Sequence, residues 1–494
     1  MDSNLQLFSF SEYDKEELSM QYFPISNYGG QNNPVGLIQF LKDCQARAVE
    51  KEQAQLVNIS LDVFHIDPLA VLESIYEPEN QHFFMENPGM DESVAAIETV
   101  LKETAQGPDR FQKIKAWANG LLNQTIYTGN TESPYCGIHF FCAFNFFDEG
   151  QDIPGFPSAV AFVPLWQVSK KDQFSLAIAN CMIDADTPIE ILAKKILKAH
   201  QRFSFFPYQH EVGTPKVSDV EWGSEKEVLG DVTFEASVGK SILAIENGEF
   251  EKIVLARALD IDASGNPNPL VILERLRNKF SSCYTFSFSA GIEGTFLGAS
   301  PELLIRVKDG RLKADAIAGS TNRGNSAGED ASYGAALLSS DKDLREHNWV
   351  VSSIVKRLEK LGLVLEVPDN PRLLKLPNVQ HLFTPIEASL PSDVHILDLI
   401  HQLHPTPAVG GSPTQKACEN ITDYESFVRG PYAGPVGWFD ALGDGEFVVG
   451  IRSGILKANG IRLFSGAGIV RGSDPDGEKL ETDLKFNALR EILF

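Results

Sequence analysis

The sequence contains no run of about 18 apolar residues, so no membrane-spanning helix is expected. It has no CxxC spacing. Its 6 cysteines (Cys44, Cys136, Cys142, Cys181, Cys283 and Cys418) are scattered singly. That usage predicts reduced thiols and a cytoplasmic protein, and excludes a disulfide framework. The N-terminal stretch "MDSNLQLFSFSEYDKEELSM" lacks both the basic and apolar regions of a secretion signal and the Arg-rich character of a transit peptide. Internal repeats and low-complexity linkers are missing too. Positive charge is scarce: 43 Lys and Arg stand against 67 Asp and Glu, a net charge of −24. Nucleic-acid binding is thereby disfavoured, since phosphate contacts need clustered cations. An anionic substrate would likewise be repelled by the average field, unless a local cationic pocket or a metal receives it.

What is present is ordinary for a globular chain of 494 residues, with 43% hydrophobic and 22% charged content. "QLVNISLDV" reads as a strand, "ESVAAIETVLKETAQ" as a helix and "GIHFFCAFNFFD" as a buried aromatic strand. "PSAVAFVPLWQVS" and "FSLAIANCMI" form a hairpin, and "DTPIEILAKKILKAHQRF" an amphipathic helix. Residues 234–247 form a helix stopped by Gly248. Consecutive strands follow, with turns at Gly291–Gly294 and Asp309-Gly310. One long helix is expected over about 329–361, then a hairpin closed at Gly443–Gly445, a further strand "RLFSGAGIV", and a helix from Pro475. The coarse class is α+β: large, mostly antiparallel sheets with helices outside.

Three motif fragments fail on inspection. "GKS" at 239–241 lacks the earlier glycine of a phosphate loop and lies mid-helix. "GAGIVRG" has Arg471 where a dinucleotide fingerprint needs its third glycine. His401 and His404 have no second pair to complete a zinc site.

Five features carry more. In "FEKIVLARALDI", strand alternation puts Lys252, Val254, Ala256 and Ala258 on one face, so Lys252 is either a solvated strand end or a buried amine. Arg452 in "VVGIRSG" reads as a strand residue between Gly450 and Gly454. The missing side chains leave a hollow suited to a carboxylate, unless the glycines mark a bulge or close sheet packing. Gly466-Ala467-Gly468 offers exposed backbone N–H groups or simply a bend. Asp343 and Glu346 share one helix face and Glu481 sits on another with Lys485 a turn on. These are either solvated faces or oxygen donors converging on a hard cation such as Mg2+. Glu302, after Pro301 at the head of a strand, is an edge residue or a general acid.

Together, "EKIVLAR", "GASPELLIR", "AIAGSTNRG", "DKDLREHN", "HPTPAVGG", "GPVGW", "GIRSG", "FSGAGIV" and "ETDLK" resemble, in order, the motifs of the chorismate-utilising enzymes. That family includes isochorismate synthase, salicylate synthase and the large chains of anthranilate and aminodeoxychorismate synthases. The resemblance is strong over about 230–490 and looser before it. It implies a catalytic region at 229–494, with 1–228 as the N-terminal part of the same α+β unit. It also implies Mg2+ held by Glu346 and Glu481, with Asp343 as a supporting partner. Chorismate would be held by Arg452 and Lys485, by backbone donors of Gly319, Ser320 and Gly466 to Gly468, and by His381, with Ala408, Val409 and Tyr432 as walls. Lys252 matches the family's base and Glu302 its acid. Ammonia-using members typically carry Gln at position 252, and aminodeoxychorismate synthases a nucleophilic lysine where Ala318 stands. Water is therefore the expected nucleophile and isochorismate the expected product, an isomerase reaction needing no glutamine amidotransferase subunit. The closest rival implied is salicylate formation in the same pocket, and anthranilate formation is more distant. The long N-terminal half resembles the quinone-pathway members, for menaquinone or phylloquinone.

Overall fold

The structure, a computed structural model, describes residues 21–22, 33–64, 66–130, 133–150, 152–204, 220–228, 230, 232–376 and 379–494. The N-terminal stretch read above for targeting signals lies outside them. Among the described residues, 21 strands join in one hydrogen-bonded network. Nearly all the pairings are antiparallel, such as Glu92–Ala105 with Ala159–Lys171 and Lys252–Ser264 with Gly460–Val470. Successive strand residues feed opposite faces: Phe83 and Met85 enter one buried cluster, Phe84 the other. The first cluster runs from Leu56 to Ile469, so both halves of the chain share it. Helices cover the outside, and the expected α+β class of large antiparallel sheets is what the chain adopts. No helix among the described residues is long and apolar enough to cross a membrane.

Three local expectations are corrected. "ESVAAIETVLKETAQ" is not a helix; Glu92–Ala105 is a 14-residue strand. Its Ala, Glu, Leu and Lys favour helix, but the segment lies between strands His82–Asn87 and Ala159–Lys171 and tertiary pairing overrides that preference. A register shift between Thr99 and Leu101, with Glu98 at φ 60°, also breaks the alternation that would have revealed a strand.

The long helix is two helices, Ala327–Leu338 and Asp341–Glu359. Ser340 starts the second one by accepting a hydrogen bond from the Asp343 N–H, an N-cap signal present in "SSDKD". Arg452 is not a strand residue. It has φ 48° in the turn between strands Gly445–Val449 and Ser453–Lys457, and the glycines beside it serve close packing: a methyl at Gly450 would stand 2.9 Å from the Phe296 ring and one at Gly454 2.7 Å from the Arg462 carbonyl oxygen.

Candidate active site

The site is built around strand Lys252–Ser264. Its antiparallel partner Gly460–Val470 sets Val254 opposite Gly468 and Ala256 opposite Gly466. Gly466 to Gly468 therefore make no bend; they lie inside a continuous strand. Their value is the space they leave. A methyl at Gly468 would stand 3.0 Å from Lys252 Cε, and one at Gly466 2.9 Å from the Tyr432 hydroxyl. The two bare positions let Lys252 and Tyr432 lie across the sheet. Lys252 is only 5% exposed, which removes the solvated-strand-end reading. Its amine donates to Glu346 Oε1 at 2.8 Å.

The other edge of this strand is held by residues that sequence reasoning missed. Arg429, 1% exposed, pairs with the buried Glu425. It donates to the carbonyls of Val254 at 2.7 Å and Val409 at 3.1 Å. Glu425 accepts from the Ala256 N–H at 2.7 Å. The pair thereby fixes the wall segment carrying Ala408 and Val409 against the Lys252 strand. A buried arginine four residues after a glutamate in "YESFVRG" was the available signal. Tyr432 stacks on Phe464 with ring centroids 5.0 Å apart.

A second group of residues converges from the strands Arg311–Asn322 and Val379–Ser389. Ser320 and His381 are direct cross-strand partners, with Ser320 Oγ 2.7 Å from His381 Nδ1. Gly319 sits at a register shift with φ +75°, where a side chain would be strained. A methyl there would also meet Asp343 Cβ at 3.2 Å. Gly319 thus lets the N-terminal turn of helix Asp341–Glu359 pack on this strand, which places Glu346, one turn on, at Lys252.

The cations cluster as expected. Burial, then the charges of Arg452 and Lys485, push the His381 ring down to about 4, so it is neutral near pH 7. Lys485 donates to the Gly466 carbonyl and to Glu481, both at 2.8 Å. The Arg452 side chain makes one hydrogen bond, to Cys283 Sγ at 3.7 Å, and no ion pair with any described residue. Burial lowers its hold on its proton, as for a guanidinium cut off from water. In a chain with an excess of acidic residues, a desolvated guanidinium without a carboxylate partner is a prepared anion site.

Glu302, 8% exposed, has its carboxyl pushed up to about 7. Burial is the main cause; Lys252 opposes it and Asp315 adds to it. Near neutral pH the group is poised between acid and carboxylate, the condition for a general acid. Asp315 was not singled out from the sequence.

The candidate metal ligands are Glu346 and Glu481. Burial works to raise the Glu346 carboxyl, but the charge and hydrogen bond of Lys252 outweigh it and the net shift is downward. Glu478, one turn before Glu481 and also missed, is raised by burial and by the charge of Glu481. Lys342 acts on both Glu346 and Glu478, so helices Asp341–Glu359 and Pro475–Leu493 face the same space. Among the described residues no group of three or more His, Cys, Asp or Glu is close enough to enclose a metal. An all-carboxylate set without a closed cage suits Mg2+, which takes one or two carboxylates and keeps waters or substrate oxygens. His404 is spent on the Phe146 carbonyl at 2.8 Å, in keeping with the structural reading of the histidine pair.

This fold is that of the chorismate-utilising enzymes, and the chain belongs to the chorismate binding enzyme family, which it matches over residues 39–494. Two relatives sharpen the likeness. The salicylate biosynthesis isochorismate synthase of Pseudomonas aeruginosa is 44% identical over 260 residues, a match spanning 53% of this chain and 54% of that protein. Isochorismate synthase MenF of Bacillus subtilis is 30% identical over 459 residues, covering 90% of this chain and 95% of that protein. Among solved structures, the menaquinone-specific isochorismate synthase MenF of Escherichia coli superposes with a TM-score of 0.74 at 25% identity, over 92% of this chain and all of the other. Anthranilate synthase component I of Streptococcus pneumoniae shares the fold, with a TM-score of 0.64 at 21% identity over 81% of this chain and 92% of the other. The expected kinship with isochorismate synthases is borne out by these relatives.

Proposed function

We propose that the chain is an isochorismate synthase, an isomerase that interconverts chorismate and isochorismate with Mg2+. The observation that carries this reading is the pairing of Lys252, a buried amine, with Glu302, a buried carboxyl held near neutrality, each within electrostatic range of the other. Near-full-length likeness to isochorismate synthases supports it.

The reaction needs one base and one acid. Water attacks C2 of chorismate while Lys252, acting as the base, takes its proton. Both ring double bonds shift, C1=C2 to C1=C6 and C5=C6 to C4=C5, the C4–O bond breaks, and Glu302 gives its proton to the departing hydroxyl. One water enters and one leaves, so the reaction is an isomerisation. Arg452 and Lys485 bind and orient the two substrate carboxylates, while neutral His381 and Ser320 offer hydrogen bonds beside them. Glu346 and Glu481 would hold Mg2+, which supplies positive charge to a substrate carboxylate. Val409 and Tyr432, both buried, would with Ala408 wall the substrate from stray water.

With water as nucleophile, no ammonia-delivering subunit is required. The likeness to the menaquinone-specific enzyme over most of the chain favours supply of a quinone pathway in the cytoplasm, menaquinone or the related phylloquinone. The deciding experiment is chromatography of the products formed from chorismate with and without Mg2+. Isochorismate alone is expected. Salicylate fluorescence would move the assignment to salicylate synthase, and an ammonium-dependent anthranilate signal to anthranilate synthase.

A further inference from the structure

Two of the sequence motifs contain residues that the proposed chemistry leaves unused. Arg257 ends "EKIVLAR", and Thr482 and Asp483 follow Glu481 in "ETDLK". The structure joins them. Strand alternation turns Arg257 away from the face of Lys252. It is 6% exposed, and its Nη1 donates to Thr482 Oγ1 and to Asp483 Oδ1, both at 2.6 Å. Its Nε donates at 2.6 Å to Glu227 Oε1 of strand Glu221–Glu227. The guanidinium lies over the rings of Phe234 and Phe486, 5.6 Å and 5.5 Å from their centroids. Ser465, the direct cross-strand partner of Arg257, donates through Oγ to the Thr482 carbonyl at 3.0 Å. The fully buried Thr482 is thus held at both its hydroxyl and its carbonyl.

The same turn of helix Pro475–Leu493 carries two groups of the candidate site. Lys479, Thr482, Asp483 and Phe486 recur at helical spacing on the face that meets Arg257, and Glu478, Glu481 and Lys485 recur on a neighbouring face. The Glu481 and Lys485 side chains are 53% and 44% exposed, so packing around them does little to fix where they stand. The rotation of the helix does that, because a slip of one residue turns every side chain by about 100°. Apolar residues of similar volume would hold a helix to a sheet at least as stably as a desolvated ion pair. What the forked, directed bonds of a guanidinium add is a fixed rotation and register.

We infer that Arg257 is a positioning residue for Glu481 and Lys485: it clamps residues 479–483 of the helix to the strand that carries Lys252. The candidate metal ligand and the candidate carboxylate-binding lysine are thereby set in register with the base. This role rests on the isochorismate synthase reading above and adds to it a residue that acts only through others.

The test compares the native chain with Arg257→Met, Arg257→Lys and Glu227→Gln. Half-saturating Mg2+ and KM for chorismate are read from turnover, and amide hydrogen exchange over residues 479–485 from the protein without substrate. In Arg257→Met the half-saturating Mg2+ is expected to rise about tenfold and KM about threefold, with kcat at saturating chorismate and Mg2+ within about threefold of native. Exchange over 479–485 should quicken. Arg257→Lys, with no fork to engage both Thr482 and Asp483, should recover only part of the loss. Glu227→Gln removes the charge on the other side of the guanidinium, and should lower Tm without moving either constant. If Arg257→Met does not fold, Thr482→Val combined with Asp483→Asn carries the same expectation. Native constants in a folded variant that lacks the clamp overturn the inference whatever its Tm or exchange, since a merely stabilising arginine would behave so. Absence of chorismate turnover in the native chain would instead overturn the functional reading itself.

Discussion

The amine of Lys252 and Oε1 of Glu346 lie 2.8 Å apart, although 94 residues separate them in sequence. The candidate base and a candidate metal ligand thus share a hydrogen bond, and helix Asp341–Glu359 is tied to strand Lys252–Ser264 at the centre of the site. Each group keeps the other's charge compensated in a poorly solvated place.

Lys252→Ala and Glu302→Gln are each expected to lower the conversion of chorismate by about 10²- to 10⁴-fold, the usual worth of a positioned acid or base. Circular dichroism should show an intact fold in both. Turnover at the native rate in either variant would sink the assignment of roles.

Gly468→Ala is expected to cost activity more than stability. The added methyl would stand 3.0 Å from Lys252 Cε, and the flexible lysine rather than the backbone gives way. Rates at least tenfold lower are expected, with Tm within a few degrees of the native protein. A large fall in Tm with normal turnover per folded molecule would refute the packing account.

Arg452 combines an anion-binding guanidinium with a left-handed backbone at φ 48°. Arg452→Gly removes the charge while relieving the backbone, so the protein should fold at least as stably and bind chorismate far more weakly. A rise in KM of roughly 30-fold or more is expected, the lower end of the cost of losing a buried charge partner. Calorimetry with a non-reacting dicarboxylate analogue provides the check. Unchanged affinity would mean that Arg452 does not hold a carboxylate.

Chelation should abolish activity and added Mg2+ restore it. Glu346→Gln and Glu481→Gln should each raise the Mg2+ concentration needed for half-maximal rate. Mg2+ titrations of rate, and of intrinsic fluorescence without substrate, measure this. Activity indifferent to chelation would remove the metal from the proposal.

The raised carboxyl of Glu302 also predicts a pH-dependent stability. Its folded value, about 7, exceeds the ordinary 4.5 of the unfolded chain. Its contribution is therefore fully present below about pH 4.5 and lost as pH rises through about 7. Glu302→Gln cannot ionise and escapes this loss. Its Tm relative to the native protein should rise between pH 5 and pH 8. A difference in Tm that stays flat across that window would contradict the burial argument.

Much of the fold was legible because alternation and capping are local. The strand of Lys252, the hairpin at Gly443–Gly445 and the helix from Pro475 follow from neighbouring residues alone. Glu92–Ala105 was misread because its composition favours helix while a bulge hides its alternation. Arg452 was placed on a regular strand because a positive φ at an arginine leaves no mark in a sequence pattern.

Local pattern and motif order determined the class of the chain and singled out Lys252 and Glu302 as candidate base and acid. Tertiary structure decided what those residues experience. Lys252 is buried because Gly468, on another strand, leaves room for it. Glu302 is held near neutrality by desolvation with Asp315 beside it, and Arg429 locks the wall to the strand. Periodicity reports the facing of residues along one element. Solvent exclusion and charge pairing depend on residues that only folding brings together.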